Sequence, residues 1–223
     1  MGVDLSSIDT VILSHGHKDH IGGLSSFLEV NQSARIYLSK HIFQKFSMRV
    51  CGLSFSIGDN RRFPDEWKGQ TYLVDKFHAV DNNTYLVSGF HGPLSRLLYS
   101  GDVRDDFSHE VVLVIQTGCG SVIFTGCCHS GLSAILQRVS MLLPNAFPCA
   151  IVGGLHLIPF PKFGIGRMDT PSIEVLVRMV QSGAISKIYT CHCTGKHPFE
   201  KLRQELGSKV QYIGTGSVIS ISS

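Results

Sequence analysis

At 223 residues, 43% apolar and 17% charged, the chain is long enough for one sizeable domain burying about 70% of its unfolded surface, and this composition excludes a disordered polymer. A formal charge of +3, with no basic run interleaved with aromatics, gives no reason to expect nucleic acid as a partner. No apolar run reaches the roughly 18 residues of a membrane span and no charged-then-apolar leader opens the chain, while seven cysteines, an odd number in a chain too large to need a disulfide scaffold, fit a thiol-reducing, cytoplasmic setting.

In chain order, Asp4 to Asp9 reads as a short capped turn leading into a strand at Thr10–Leu13, where the residues are β-branched and apolar. Leu24 to Val30 reads as a helix, with Leu24, Phe27 and Leu28 on one face. Ala34 to Leu38 is a strand, and Lys40 to Val50 reads as a helix carrying Ile42, Phe43 and Phe46 on one side. The stretch from Cys51 to Lys68 is rich in Gly, Pro, Arg and Asp without a clean period, which fits a substrate-facing loop or a plain surface connection equally well. Strands follow near Thr71–Val74, Asn83–Gly89, Val111–Gln116 and Val122–Thr125. Then come a helix at Leu132–Leu143, a buried strand at Cys149–Val152, a helix at Ser172–Gln181, a strand at Lys187–Thr190, a helix at His197–Leu206, and closing strands at Val210–Ile213 and Val218–Ile221. Alternating strands and helices point to an α/β layered sheet with helices packed outside, in a single domain without linker or repeat.

The chemistry concentrates at strand ends. Ser14-His15-Gly16-His17-Lys18-Asp19-His20-Ile21-Gly22-Gly23 follows the first strand and precedes a helix, a place where side chains from a rigid scaffold converge. His and Asp are ligands for zinc, manganese or iron. The i, i+2 spacing lets His15 and His17 face one ion, with Asp19 and His20 in reach of a second. Three later strands end in the same way, at Thr125-Gly126-Cys127-Cys128-His129, at Gly153-Gly154-Leu155-His156-Leu157 and at Cys191-His192-Cys193-Thr194-Gly195. Ligands bind at such ends in open α/β sheets, so six of the eleven histidines converge on one edge. Cys127, Cys128, Cys191 and Cys193 flank these positions, as soft-metal tuning or, more simply, as small buried packing residues. His91 and Asp102 fit turns better than a pocket lining. Lys196 and His197 open a helix, either to meet an anion or as a solvated start, and His41, His78 and His109 read as ordinary surface or core residues.

His-x-His-x-Asp-His followed by Gly-Gly resembles the metal-binding signature of the metallo-β-lactamase fold. Asp105-Asp106-Phe107 to Glu110, the Thr-Gly-Cys-x-His, Gly-Gly-x-His-Leu and Cys-His-Cys-Thr-Gly motifs and the closing Ile213-Gly214-Thr215-Gly216 narrow it further. Together they resemble the 7,8-dihydropterin-6-methyl-4-(β-D-ribofuranosyl)-aminobenzene-5'-phosphate synthase-like (dihydropteroate-synthase-like) branch, over nearly the whole chain. The resemblance implies an αββα sandwich, here without the family's usual N-terminal β segment and its Asp-Thr-Gly turn. It implies two divalent ions, zinc first, then manganese or iron, with His15, His17 and His129 holding one and Asp19, His20 and His192 the other. His156 stands where the superfamily has a bridging aspartate, so it is implied as a substitute ligand or a residue supporting one; the acidic residues between His129 and His192 are Asp169 and Glu174, neither at a strand end. The implied activity is hydrolysis of an ester or phosphoester of a small molecule, phosphorylated compounds among the candidates, by a metal-activated water, with Asp19 as ligand and proton acceptor. A transferase (synthase) acting on a pterin or methanopterin precursor and an inactive metal-binding remnant are the alternatives.

Overall fold

The computed structural model describes residues 2–59, 69–90, 92, 95, 97–158 and 170–221. The chain forms two compact units, Met1–His78 with Leu86–Val111, and Ala79–Tyr85 with Val112–Ser223.

In the first unit, Asp4 caps a single helical turn at Leu5–Ser7 by accepting from the Ser6 N–H, and the chain enters β1 (Thr10–Ile12). A short α1 (Lys18–Ile21) and then α2 (Leu24–Val30) form the crossover to β2 (Arg35–Ser39), which pairs parallel with β1 in the register Thr10↔Arg35 to Ile12↔Tyr37. Such a crossover is what a parallel pair requires. β5 (Thr71–Val74) adds to the other side of β2, again parallel. Leu13, Ile21, Leu24, Leu28, Ile36, Leu38 and Ile42 pack into one core, with Val11, Phe27 and Phe43 against it. The expected apolar face of the Leu24–Val30 helix is thus the face that is buried.

The helix expected over Lys40–Val50 does not form. The chain turns at 40–44 and continues as β3 (Phe46–Val50), antiparallel to β4 (Leu53–Ser56) and to β8 (Leu98–Ser100), with β9 (Val103–Arg104) beyond β8. Ile42 and Phe46 are buried as the i, i+4 spacing suggested, but from two sides of a bend. Phe46-Ser-Met-Arg-Val alternates with period two, and its pairing partners lie near residues 53–56 and 98–100 rather than along a helix axis. The rest of the Cys51–Lys68 stretch, from residue 60, lies outside the described residues, as do His91 and Asp169.

The second unit is organised on the sheet ordered β14-β13-β12-β11-β10, with β7 and β6 continuing the order; the strands are β6 (Phe77–Ala79), β7 (Thr84–Ser88), β10 (Val111–Thr117), β11 (Gly120–Phe124), β12 (Pro148–Gly153), β13 (Lys187–Thr190) and β14 (Val210–Tyr212). β10 and β11 form an antiparallel hairpin, and β11, β12, β13 and β14 run parallel. The crossovers are α3 (Leu132–Leu142), α4 (Thr170–Gln181) and α5 (Lys196–Leu206), which bury Leu132/Ile135/Val139, Ile173/Leu176/Val177/Val180 and Pro198/Leu202/Leu206 at helical spacing. The strand expected at Val218–Ile221 is absent: Ile219 and Ile221 rest against the Val122–Ala150–Val152–Tyr189 cluster, while Val218 is 92% exposed. Alternation there seats two side chains without a backbone partner.

Candidate metal centre

In the first unit the ligand-bearing loop leaves β1 at Leu13 and is tied at intervals. Val111 N–H donates to Ser14 O at 2.7 Å, Gly16 N–H to His109 Nδ1 at 2.9 Å, and Lys18 N–H to Ile57 O at 2.8 Å. Gly16 is required by close approach, because a Cβ there would run into the Phe46 ring and the Ile42 carbonyl oxygen. The chain is extended at His17 (φ −78°, ψ 143°) and helical from Lys18, which places Asp19 in a first turn where backbone N–H groups favour a negative charge. Ile21, 1% exposed, anchors that turn.

His15, His17 and His20 cluster within this unit. Ring centroids are 4.7 Å apart for His15–His17 and 4.0 Å for His15–His20. Ser14 Oγ lies 3.1 Å from His15 Nδ1 and 3.3 Å from His20 Nδ1, and the Asp19 carboxylate is 3.7 Å from His20 Nε2. Burial, ahead of the neighbouring His109, pushes the His17 imidazole down to about 3. It is therefore neutral at physiological pH, the form that ligates a metal. Three imidazoles and a carboxylate on one short loop make a donor set that fits zinc, manganese or iron.

In the second unit three loops leave the carboxyl ends of the adjacent parallel strands β11, β12 and β13. His129 follows β11 and is buried with Ser130; His156 follows β12; His192 opens a 3-10 turn after β13 and is exposed. The loops are cross-tied. Thr125 Oγ1 donates to Gly154 O at 3.1 Å, Gly154 N–H to Gly126 O at 2.9 Å, Leu155 N–H to Thr194 Oγ1 at 3.0 Å, and Thr190 Oγ1 to Gly153 O at 3.0 Å. His129 and His156 rings sit 4.2 Å apart. The buried Nδ1 of His156 has no hydrogen-bond partner among the described residues, an uncompensated polar atom of the kind an absent ligand satisfies. Hydrogen bonding with Cys127, ahead of hydrogen bonding with His156, draws the Cys193 thiol down to about 5, and its sulfur lies 3.4 Å from the Cys127 carbonyl oxygen. Cys127 and Cys128 are buried, in line with a packing role.

Backbone strain marks the same places. Five non-glycine residues among those described have left-handed φ, and three of them are Cys128 (59°), His156 (46°) and His192 (49°). Such conformations cost of order 1–3 kcal/mol each and persist where surrounding structure holds them, most often at functional sites.

The remaining expectations sort readily. Asp102 is exposed in the β8–β9 turn and bonds Arg49 at 3.1 Å. Lys196 and His197 both lie near Glu200 on the exposed side of α5, at 3.9 and 3.5 Å, as a solvated helix start does. His109 is a core residue as read, but its role was missed: it is fully buried against Asp105, 3.1 Å from the carboxylate, behind the histidine loop. The Asp-x-x-x-His spacing was the available signal.

The metallo-beta-lactamase superfamily model matches residues 1–104. Over 236 residues the chain is 24% identical to a 7,8-dihydropterin-6-methyl-4-(beta-D-ribofuranosyl)-aminobenzene-5'-phosphate synthase of Methanocaldococcus jannaschii, covering 98% of this chain and 77% of that one. An uncharacterized protein of the same organism is 23% identical over 88% of this chain and 73% of its own length. Among solved structures, a metal-dependent hydrolase of the beta-lactamase superfamily superposes with a TM-score of 0.76 at 24% identity, covering all of this chain and 82% of that one. An isothiocyanate hydrolase from Delia radicum gut bacteria does so with a TM-score of 0.59 at 14% identity, covering 100% and 81%. Mixed sheets flanked by helices, with histidine-bearing loops at strand ends, are therefore the metallo-β-lactamase fold, and along nearly its whole length the chain resembles that superfamily's dihydropterin ribofuranosyl-aminobenzene phosphate synthase-like branch.

Proposed function

We propose that the chain is a metal-dependent hydrolase of a small-molecule ester or phosphoester. The observation that carries this reading is the cluster of His15, His17 and His20 with Asp19 on one loop, its rings 4.0–4.7 Å apart and His17 held neutral by burial. On the resemblance of the motifs alone, we assign His15, His17 and His129 to one ion and Asp19, His20 and His192 to another, with His156 as a further ligand or its support. When bound there, a divalent ion (zinc first, otherwise manganese or iron) would supply a positive charge to polarise the scissile group and lower the pKa of a water toward neutrality.

The chain's own residues do the rest. The buried His17 imidazole, neutral across the physiological range, keeps its lone pair for an ion. Asp19, half exposed beside His20, is the carboxylate we assign both as a ligand and as the acceptor for a proton that a water would lose there. The cross-tied loops of the second unit fix His129 and His156 so that little reorganisation is needed on binding. The substrate is a small molecule, with phosphorylated compounds among the candidates. Free cysteines throughout favour a reducing cytoplasmic compartment, and among the described residues no helix is long and apolar enough to cross a membrane.

A second reading, favoured by the name of the Methanocaldococcus relative, is a synthase acting on a phosphorylated pterin precursor. The two separate in one assay. Protein supplied with zinc, manganese or iron is offered chromogenic esters, phosphomonoesters and phosphodiesters, and, in parallel, a phosphorylated dihydropterin. Metal-dependent hydrolysis that is lost in Asp19→Ala supports the hydrolase. Turnover of the pterin alone supports the synthase, and turnover of neither refutes both.

A further inference from the structure

The Asp105–His109 pair is a buried ionisable cluster that the hydrolase reading does not use. Asp105 is 1% exposed and His109 0%. Asp105 Oδ1 accepts the Phe107 N–H at 2.8 Å, and Phe107 takes a left-handed φ of 57°, which turns the chain so that His109 returns to the carboxylate four residues earlier. His109 Nε2 lies 3.1 Å from Asp105 Oδ2. Its Nδ1 lies 2.9 Å from the backbone nitrogen of Gly16, the residue between His15 and His17. The ring packs on Phe46 at 4.1 Å and stands 6.0 and 5.5 Å from the His15 and His17 rings.

Elementary hydrogen-bond chemistry fixes the tautomer. A backbone N–H only donates, so Nδ1 must be the bare acceptor and the proton must sit on Nε2, from which it is donated to the Asp105 carboxylate. Both ring nitrogens are then engaged. Although His17, Asp105 and His109 lie close enough together to hold an ion, His109 has no lone pair left to offer one. The trio is a support rather than another metal site.

We propose that Asp105 and His109 are positioning residues for the His15-Gly16-His17 segment, the carboxylate fixing the imidazole tautomer and the imidazole fixing the Gly16 amide. The inference rests on the metal-centre reading above. Its physical logic is preorganisation: partners behind a ligand set its orientation, and their loss typically costs about 10- to 100-fold in metal affinity. Because the ligands alternate about Gly16, one hydrogen bond at that amide sets the direction of both side chains. The Val111 N–H bond to Ser14 O at 2.7 Å holds the other side of the same loop, and it comes from the same returning segment.

Two measurements test this. The first uses wild-type protein stripped of metal, with nitrogen NMR of the His109 ring and the Gly16 amide. The expected result is a protonated Nε2, a bare Nδ1, and a Gly16 amide proton protected from exchange; a proton on Nδ1 overturns the proposal. The second measures zinc affinity by chelator competition for wild type, His109→Phe and His109→Asn. Phe keeps the ring packing without an acceptor, and Asn keeps an acceptor near the δ position. The expected result is about tenfold weaker zinc binding by the Phe variant, with much of the loss restored in the Asn variant. Equal zinc binding by all three proteins overturns the positioning role alone. Zinc bound by none of them, wild type included, overturns the metal-centre reading and this proposal with it.

Discussion

Replacing Gly16 by alanine tests the claim that the histidine loop is held by close packing rather than by chance placement. An added Cβ would meet two neighbours at once, the Phe46 ring and the Ile42 carbonyl oxygen. Neither yields easily. Phe46 is 1% exposed and wedged against His109 and His17, while the Ile42 oxygen belongs to the backbone of the turn before β3. Overpacking of a dense site costs about 1–3 kcal/mol, and a backbone neighbour places this case at the upper end, about 3 kcal/mol. For a chain of this length that lowers Tm by about 6–12 °C, at 2–4 °C per kcal/mol. The assay is urea and thermal unfolding of metal-free protein followed by circular dichroism. Gly23→Ala is the control: that glycine has nothing within 4 Å of its Cβ position, and its substitution stays within about 0.5 kcal/mol. Equal stability of Gly16→Ala and Gly23→Ala would refute the packing argument.

Asn31 is 2% exposed; its amide donates to the carbonyls of Leu5 and Ile8 at 2.8 and 2.7 Å and accepts from the N–H groups of Ser33 and Ala34. Asn31→Ala removes the partner of the buried Ala34 N–H and of part-buried carbonyls at Leu5 and Ile8, and lowers stability by about 1–2 kcal/mol in urea unfolding. His17 makes metal-free stability depend on pH. Its folded pKa of about 3 lies below the ordinary 6.5, so the unfolded chain binds the extra proton, and stability is complete above pH 6.5 and falls as pH drops toward 3. Between pH 6.5, where the unfolded imidazole is half protonated, and pH 5 the loss is about 1.6 kcal/mol; His17→Phe flattens that slope, and an unchanged slope contradicts the assignment. Cys119 and Cys149 have sulfurs 3.2 Å apart, with the Cys119 thiol lowered by the Thr117 hydroxyl and the Cys149 thiol pushed up to about 11 by burial. Excess oxidised glutathione is expected to join them in an intramolecular disulfide through attack by Cys119, releasing reduced glutathione; mass spectrometry showing only mixed glutathione adducts contradicts this.

Much of the fold was legible because its central strands are short β-branched runs whose ends carry unusual residues. Thr10–Ile12, Gly120–Phe124, Pro148–Gly153 and Lys187–Thr190 each precede a histidine motif, and the parallel pairing of the last three strands aligns those ends. The β3 region misled because Ile42 and Phe46 keep a helical spacing around a bend, and period two is weak over five residues. β4 is exposed along its whole length, so it leaves no burial pattern to read. The Asp105–His109 pair left a local signal in its Asp-x-x-x-His spacing, but its target did not. Its bond to Gly16 spans 93 positions, and only tertiary structure brings the Asp-x-x-x-His turn behind the histidine loop. The strained φ values at Cys128, His156 and His192 belong to the same class, since nothing in local propensity calls for them.

The proposed metal centre is tested by metal content per chain in protein purified without chelator, set beside the His17→Ala/His192→Ala double variant. About two zinc, manganese or iron ions per chain are expected in the wild type, one for each proposed ligand set, with their loss in the double variant. Less than about half an ion per chain in folded wild-type protein would contradict the metal centre.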